Sequence, residues 1–66
     1  MIESENKPTV SLVGEDGNIF NLMAICSRAL KKDGFIEEAK EMTNKIFNAS
    51  SYNEALNILG EYVNIQ

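Results

Sequence analysis

The chain has no histidine, no tryptophan and a single cysteine, Cys26. An intrachain disulfide is therefore excluded. A zinc site, which draws on cysteine and histidine, is left without a ligand set. A cysteine nucleophile would have no histidine to activate it. Long apolar runs are missing as well, and none approaches the roughly 20 residues that span a bilayer. Basic residues are few: six lysines and arginines stand against ten acidic residues, for a net charge of −4. That balance disfavours broad nucleic-acid binding, which needs a basic field to displace phosphate counterions. The opening stretch Met1–Lys7 is polar and acidic, the opposite of a signal peptide. With one thiol and no export signal, the expected setting is the cytoplasm.

What is present is a 66-residue chain that is 44% hydrophobic, enough for one domain at most. A chain of this size buries only about 60% of its unfolded surface. Small domains often rely on a disulfide, a metal or a partner chain. With the first two removed, a partner is what remains, and a homodimer is its simplest form. Residues 1–8 read as a flexible polar tail, and residues 9–66 as one small domain.

Pro8 lacks an N–H and suits the first position of a strand. Thr9 to Val13 alternates, with Val10 and Leu12 on one face. Gly14-Glu-Asp-Gly-Asn18 is turn chemistry, with Asp16 or Asn18 placed to cap a helix. From Ile19 to Lys32 the pattern is helical, with Ile19, Leu22, Met23, Cys26, Ala29 and Leu30 on one face. Asp33-Gly34 closes that helix, Gly34 being the left-handed residue. A second helix is expected over Ile36 to Asn48, burying Ile36, Ala39, Thr43, Ile46 and Phe47. Ser51-Tyr-Asn-Glu54 has the spacing of a capping box and opens a third helix, Tyr52 to Glu61. Its expected stripe is Tyr52, Ala55, Leu56, Leu59 and Val63. Gly60 costs about 1 kcal/mol relative to alanine in a helix, which points to close packing or early termination there. The tail Tyr62–Gln66 alternates and suits an extended strand. The strand near Val10 needs a hydrogen-bonding partner, either Val63–Ile65 or the same strand of a second chain. The expected fold class is thus α+β and mostly helical: an N-terminal strand, three helices and a short C-terminal strand.

No catalytic, cofactor-binding or metal constellation emerges. Gly14-x-x-Gly17 before a helix echoes a phosphate loop, but the Walker and dinucleotide patterns are absent. Glu15 and Asp16 would also repel phosphate. Asp16-Gly-Asn18 starts like a calcium loop, yet its fifth and twelfth positions are Phe20 and Ser27. Cys26 lies on the apolar face and reads as a buried thiol. Glu37 and Glu41 form a carboxylate pair on a solvated helix face, a poor setting for acid–base work. Arg28, Lys31 and Lys32 form a small basic cluster where the helix dipole favours cations. Phe20, Ile25, Met42 and Ile58 fall off these apolar stripes, and four apolar side chains outside a small core suggest a contact surface.

The pattern Val10-x-Leu-Val-Gly-x-Asp-Gly-Asn-x-Phe20, with a helix ending Ala29-Leu-Lys-Lys-x-Gly34, resembles a group of short uncharacterised proteins of phages, prophages and bacterial genomes. Ser51-Tyr52, Leu56 and Tyr62-Val63 fit the same pattern. The resemblance implies a small α-rich fold and a phage or mobile-element context. It carries over no activity and no functional residue. The expected function is that of a non-enzymatic interaction or accessory protein binding another protein or itself, with no membrane and no cofactor. Phe20, Ile25, Met42 and Ile58 are its expected contact residues. The alternatives are a nucleic-acid-associated regulator using Arg28, Lys31 and Lys32, and an acidic inhibitor of a host protein.

Overall fold

The computed structural model describes residues 6–66. In chain order the elements are β1 (Thr9–Val10), α1 (Ile19–Lys32), α2 (Ile36–Phe47), α3 (Tyr52–Tyr62) and β2 (Asn64–Ile65). This is the α+β, mostly helical arrangement the sequence implies. β1 and β2 pair in parallel, Thr9 opposite Asn64 and Val10 opposite Ile65. All three helices lie in the connection between the two strands, as a parallel pair requires. The lone N-terminal strand thus finds its partner in its own chain.

β1 is shorter than its alternating pattern. Asn64 and Gln66 donate backbone N–H groups to the carbonyls of Pro8 and Val10, both at 2.9 Å. Beyond Val10 the chain turns away, with the Glu15 N–H bonded to the Leu12 carbonyl and Gly14 at φ +81°. The expected tail over residues 1–8 lies mostly outside the described residues. Its last part is anchored: Pro8 is buried, and the Lys7 ammonium donates to the Gly60 carbonyl at 3.2 Å.

α1 has the bounds its periodicity gives. The Asn18 side chain caps it by accepting the Phe20 N–H at 2.9 Å, and Asp16 Oδ1 in turn accepts the Asn18 N–H at 3.0 Å. At its other end Gly34 sits at φ +88°. The Phe35 N–H bonds back to Leu30 and the Gly34 N–H to Lys31. That pair of bonds is a Schellman stop, and only glycine takes the required conformation without strain.

α3 is capped by Ser51, whose hydroxyl accepts the Glu54 N–H at 3.1 Å. The reciprocal half of the expected capping box does not form. Glu54 accepts instead from Ser50, at 2.6 Å from its hydroxyl and 3.4 Å from its N–H. Gly60 neither ends the helix nor marks a close approach. The helix continues to Tyr62, and an added Cβ at Gly60 would meet nothing within 4 Å.

One core joins the elements: Leu22, Cys26 and Leu30 from α1, Ala39, Met42 and Ile46 from α2, Ala55, Ile58, Leu59 and Tyr62 from α3, with Val10 and Val63 from the strand end. The α1 stripe is as read from sequence. On α2 the buried line is rotated away from Thr43 and onto Met42. Thr43 is half-buried and spends its hydroxyl on the Ala39 carbonyl. On α3 the line is rotated towards Ile58 and away from Tyr52. Both rotations leave an aromatic side chain outside, Phe47 and Tyr52.

Candidate functional site

The three helices follow one another through connections of a few residues, and one recess is lined from all three. The first turn of α1, the last turn of α2 and the first turn of α3 meet around it, at one end of the fold. Each contributes an exposed aromatic residue: Phe20 is 55% exposed, Phe47 62% and Tyr52 49%. The Phe20 and Phe47 rings lie 5.7 Å apart between centroids, tilted by 39°, within the range of a favourable aromatic pair. Tyr52 is fixed from its far end, because its hydroxyl donates to the Gly17 carbonyl beside the α1 cap. The three rings line a shallow recess floored by Ile19, Ile46 and Ala55 and edged by Ser50 and Ser51. Large apolar side chains gathered at a surface mark an interaction site more often than single exposed ones do.

The four expected contact residues do not form a surface. Phe20 lies in the recess. Ile25 is half-buried on α1. Met42 is fully buried and Ile58 is 8% exposed, so both belong to the core. The correction follows from the helix phases. Reading Thr43 rather than Met42 onto the buried face of α2 placed Met42 outside and Phe47 inside, the reverse of what the structure has. On α3 the same exchange involves Ile58 and Tyr52. Phe47 and Tyr52 are the contact candidates that pattern reading passed over. Their signal was positional: each stands at a helix end next to a short connection, and those ends meet in the fold.

The other polar groups read as structural. Cys26 is buried, and burial pushes its thiol up to about 11, far from a reactive thiolate. Glu41 is engaged from α3: it accepts a hydrogen bond from the Tyr62 hydroxyl. That bond, with help from Lys45, holds the Glu41 carboxyl below its usual range. Lys45 stands 3.8 Å from Glu41, 3.5 Å from Glu61 and 5.3 Å from the centre of the Tyr62 ring. This cluster ties the α2 flank to the end of α3. Glu37 pairs with Lys40 at 3.9 Å across an exposed helix face. Arg28, Lys31 and Lys32 are all exposed, and none joins the ion pairs found among the described residues. No group of three or more His, Cys, Asp or Glu side chains able to hold a metal occurs among the described residues. No helix there is long and apolar enough to cross a membrane.

Comparison with family models, with curated proteins and with solved structures gives no match.

Proposed function

We propose that the chain is a small non-enzymatic interaction or accessory protein. It acts in the cytoplasm, in a phage or mobile-element setting, and engages another protein or a second copy of itself through the recess of Phe20, Phe47 and Tyr52. One observation carries the reading: three aromatic side chains from three helices meet at one end and each stays about half exposed or more. In a chain of 66 residues, burying one such side chain would add about 1.5–3 kcal/mol. A fold this small gains from every buried ring, and leaving three outside suits a surface that is covered by a partner.

The test is a tagged pull-down from host lysate with and without nuclease, wild type beside the Phe20→Ser/Phe47→Ser double variant. A protein retained after nuclease by wild type and lost by the variant supports the reading. Equal recovery by both removes the recess from it.

A second reading rests on the exposed cluster Arg28, Lys31 and Lys32, which no carboxylate neutralises among the described residues. It makes the chain a nucleic-acid-associated regulator. Duplex binding should then weaken steeply with salt. A flat salt response would end it.

A further inference from the structure

Resting on the interaction reading, we infer the chemistry of the partner: the recess takes a basic polypeptide segment. An apolar side chain enters between Phe20, Phe47 and Tyr52, and lysines or arginines flank it.

Among the described residues no charged side chain lines the recess itself, and three carboxylates stand beside it. Glu15 and Asp16 stand in the turn whose Gly17 carbonyl accepts the Tyr52 hydroxyl. Glu54 is bonded to Ser50, which edges the recess. Among the described residues no lysine or arginine lines it. Five of the chain's six lysines and arginines lie away from this end, and Lys45, in the last turn of α2, is paired with two carboxylates. Lys7 is bound to the Gly60 carbonyl, near the opposite end of α3. Arg28, Lys31 and Lys32 lie towards the far end of α1. Lys40 stands by Glu37, and Lys45 lies between Glu41 and Glu61. The N-termini of α1 and α3 add partial positive charge at this end. Their first amides are capped by Asn18 and Ser51, and three formal negative charges outweigh what is left.

That field selects among occupants. An acidic rim repels nucleic acid and anionic lipid headgroups, so the exposed rings do not suit a membrane surface of that kind. It attracts a cationic segment and steers it to the rings. The receptor side is also ordered before binding: Tyr52 is held by its hydroxyl and Phe20 packs on Phe47. Little side-chain freedom is left to lose on docking.

The protein has no tryptophan, so a tryptophan in a probe peptide reports alone. The probe is a synthetic amphipathic peptide with leucines and one tryptophan on one face and lysines on the other. Its twin carries glutamate for every lysine. The lysine peptide should bind wild type at least about tenfold more tightly than its twin, and Phe47→Ser should weaken it about tenfold. The triple variant Glu15→Gln, Asp16→Asn, Glu54→Gln should weaken it several-fold and flatten its salt dependence. A control triple that removes the same charge elsewhere, Asp33→Asn, Glu37→Gln, Glu38→Gln, should stay within about twofold of wild type. Circular dichroism checks the fold of each variant, and the twin peptides test charge preference on unaltered protein. No binding of the lysine peptide, equal binding of the twins, or equal loss in both triples overturns the inference. If a neutral or acidic peptide binds and Phe47→Ser abolishes it, the interaction reading stands and the basic partner falls. Self-association in sedimentation that Phe47→Ser removes would assign the recess to a second copy, and would overturn the basic peptide as its occupant.

Discussion

The two ends of this helical bundle are finished in opposite ways. Where α3 runs into β2, Tyr62 and Val63 are buried, and the phenol hydroxyl passes to Glu41. Two strands of two residues each pair at that end. At the other end Phe20, Phe47 and Tyr52 are open to solvent. The same residue classes are spent on cohesion at one end and left exposed at the other. The difference shows that apolar patterning alone does not separate core from surface. The phase of each helix does, and on α2 the separation comes down to two residues five apart, Met42 inside and Phe47 outside.

The severest challenge to that contrast is to truncate the inside residue. Met42 has no exposed surface, and Met42→Ala should cost roughly 2–5 kcal/mol, as deletion of a buried side chain does. In a domain this small that is a large share of the total stability. Denaturant unfolding followed by circular dichroism measures it. A cost below about 1 kcal/mol would mean that Met42 lies nearer the surface than its place in the core packing implies.

The core face of α1 offers a second, pH-dependent probe. The Cys26 thiol is pushed up from 9.0 to about 11 by burial. A group whose folded value is raised contributes stability that is complete below its unfolded value and lost as pH climbs through the folded one. Stability should therefore fall between about pH 9 and 11, by roughly 2–3 kcal/mol at the alkaline limit for a shift of that size. Tyr62 acts in the same direction, raised by burial and by its bond to Glu41. Cys26→Ala isolates the thiol, because its stability should decline less over that range. Parallel slopes for both proteins would mean that the thiol is already solvated in the folded chain.

A smaller effect is expected at the closed end. Tyr62→Phe removes the hydroxyl that Glu41 accepts from and keeps the ring in place. The loss of one hydrogen bond costs about 1 kcal/mol. Because that hydroxyl is the main cause of the lowered Glu41 carboxyl, its titration should move back up towards the ordinary range. Carboxyl NMR of wild type and variant reads the shift directly. An unchanged Glu41 titration would leave Lys45 as its partner and Tyr62 as packing alone.

Gly60 permits a gain on the same helix. It is exposed, helical and free of close neighbours, so Gly60→Ala should stabilise by about 0.5–1 kcal/mol through helix propensity. A rise in thermal midpoint is the expected readout. A fall would show that α3 needs glycine's freedom before its last turn.

Local chemistry made most of the architecture readable. The Asn18 cap, the Gly34 stop and the Ser51 cap act within a few residues, and their helix starts and ends match the sequence pattern closely. The parallel pairing of β1 with β2 was legible as a need, since a lone strand must be satisfied. What failed was rotation. Met42 and Thr43 are neighbours, and both fit a stripe through Ala39 and Ile46. Threonine's ability to return its hydroxyl to the Ala39 carbonyl lets it occupy the boundary, so methionine takes the core. Similarly, Tyr52 and Ile58 both suit an α3 stripe. The hydroxyl of Tyr52 reaches a carbonyl 35 residues away in sequence, a contact no local pattern encodes. The recess inherits these errors, because it consists of the side chains that the rotated stripes leave out.

The smallest expected effect tests that recess as a surface. Phe47→Ala removes a large side chain, yet the ring is 62% exposed and its ring partner is Phe20. Exposed substitutions away from caps and networks shift stability by no more than about 0.5 kcal/mol. Met42→Ala and Phe47→Ala on one helix should thus differ at least several-fold in cost. If Phe47→Ala instead costs as much as Met42→Ala, the ring is supporting the fold, and the open end of the bundle is a second core face. A partner would then have to displace Phe47 to use the recess, which would slow association well below a steered, preformed encounter. A near-neutral Phe47→Ala leaves the ring available for contact, and any binding it loses can be assigned to the surface and not to the fold.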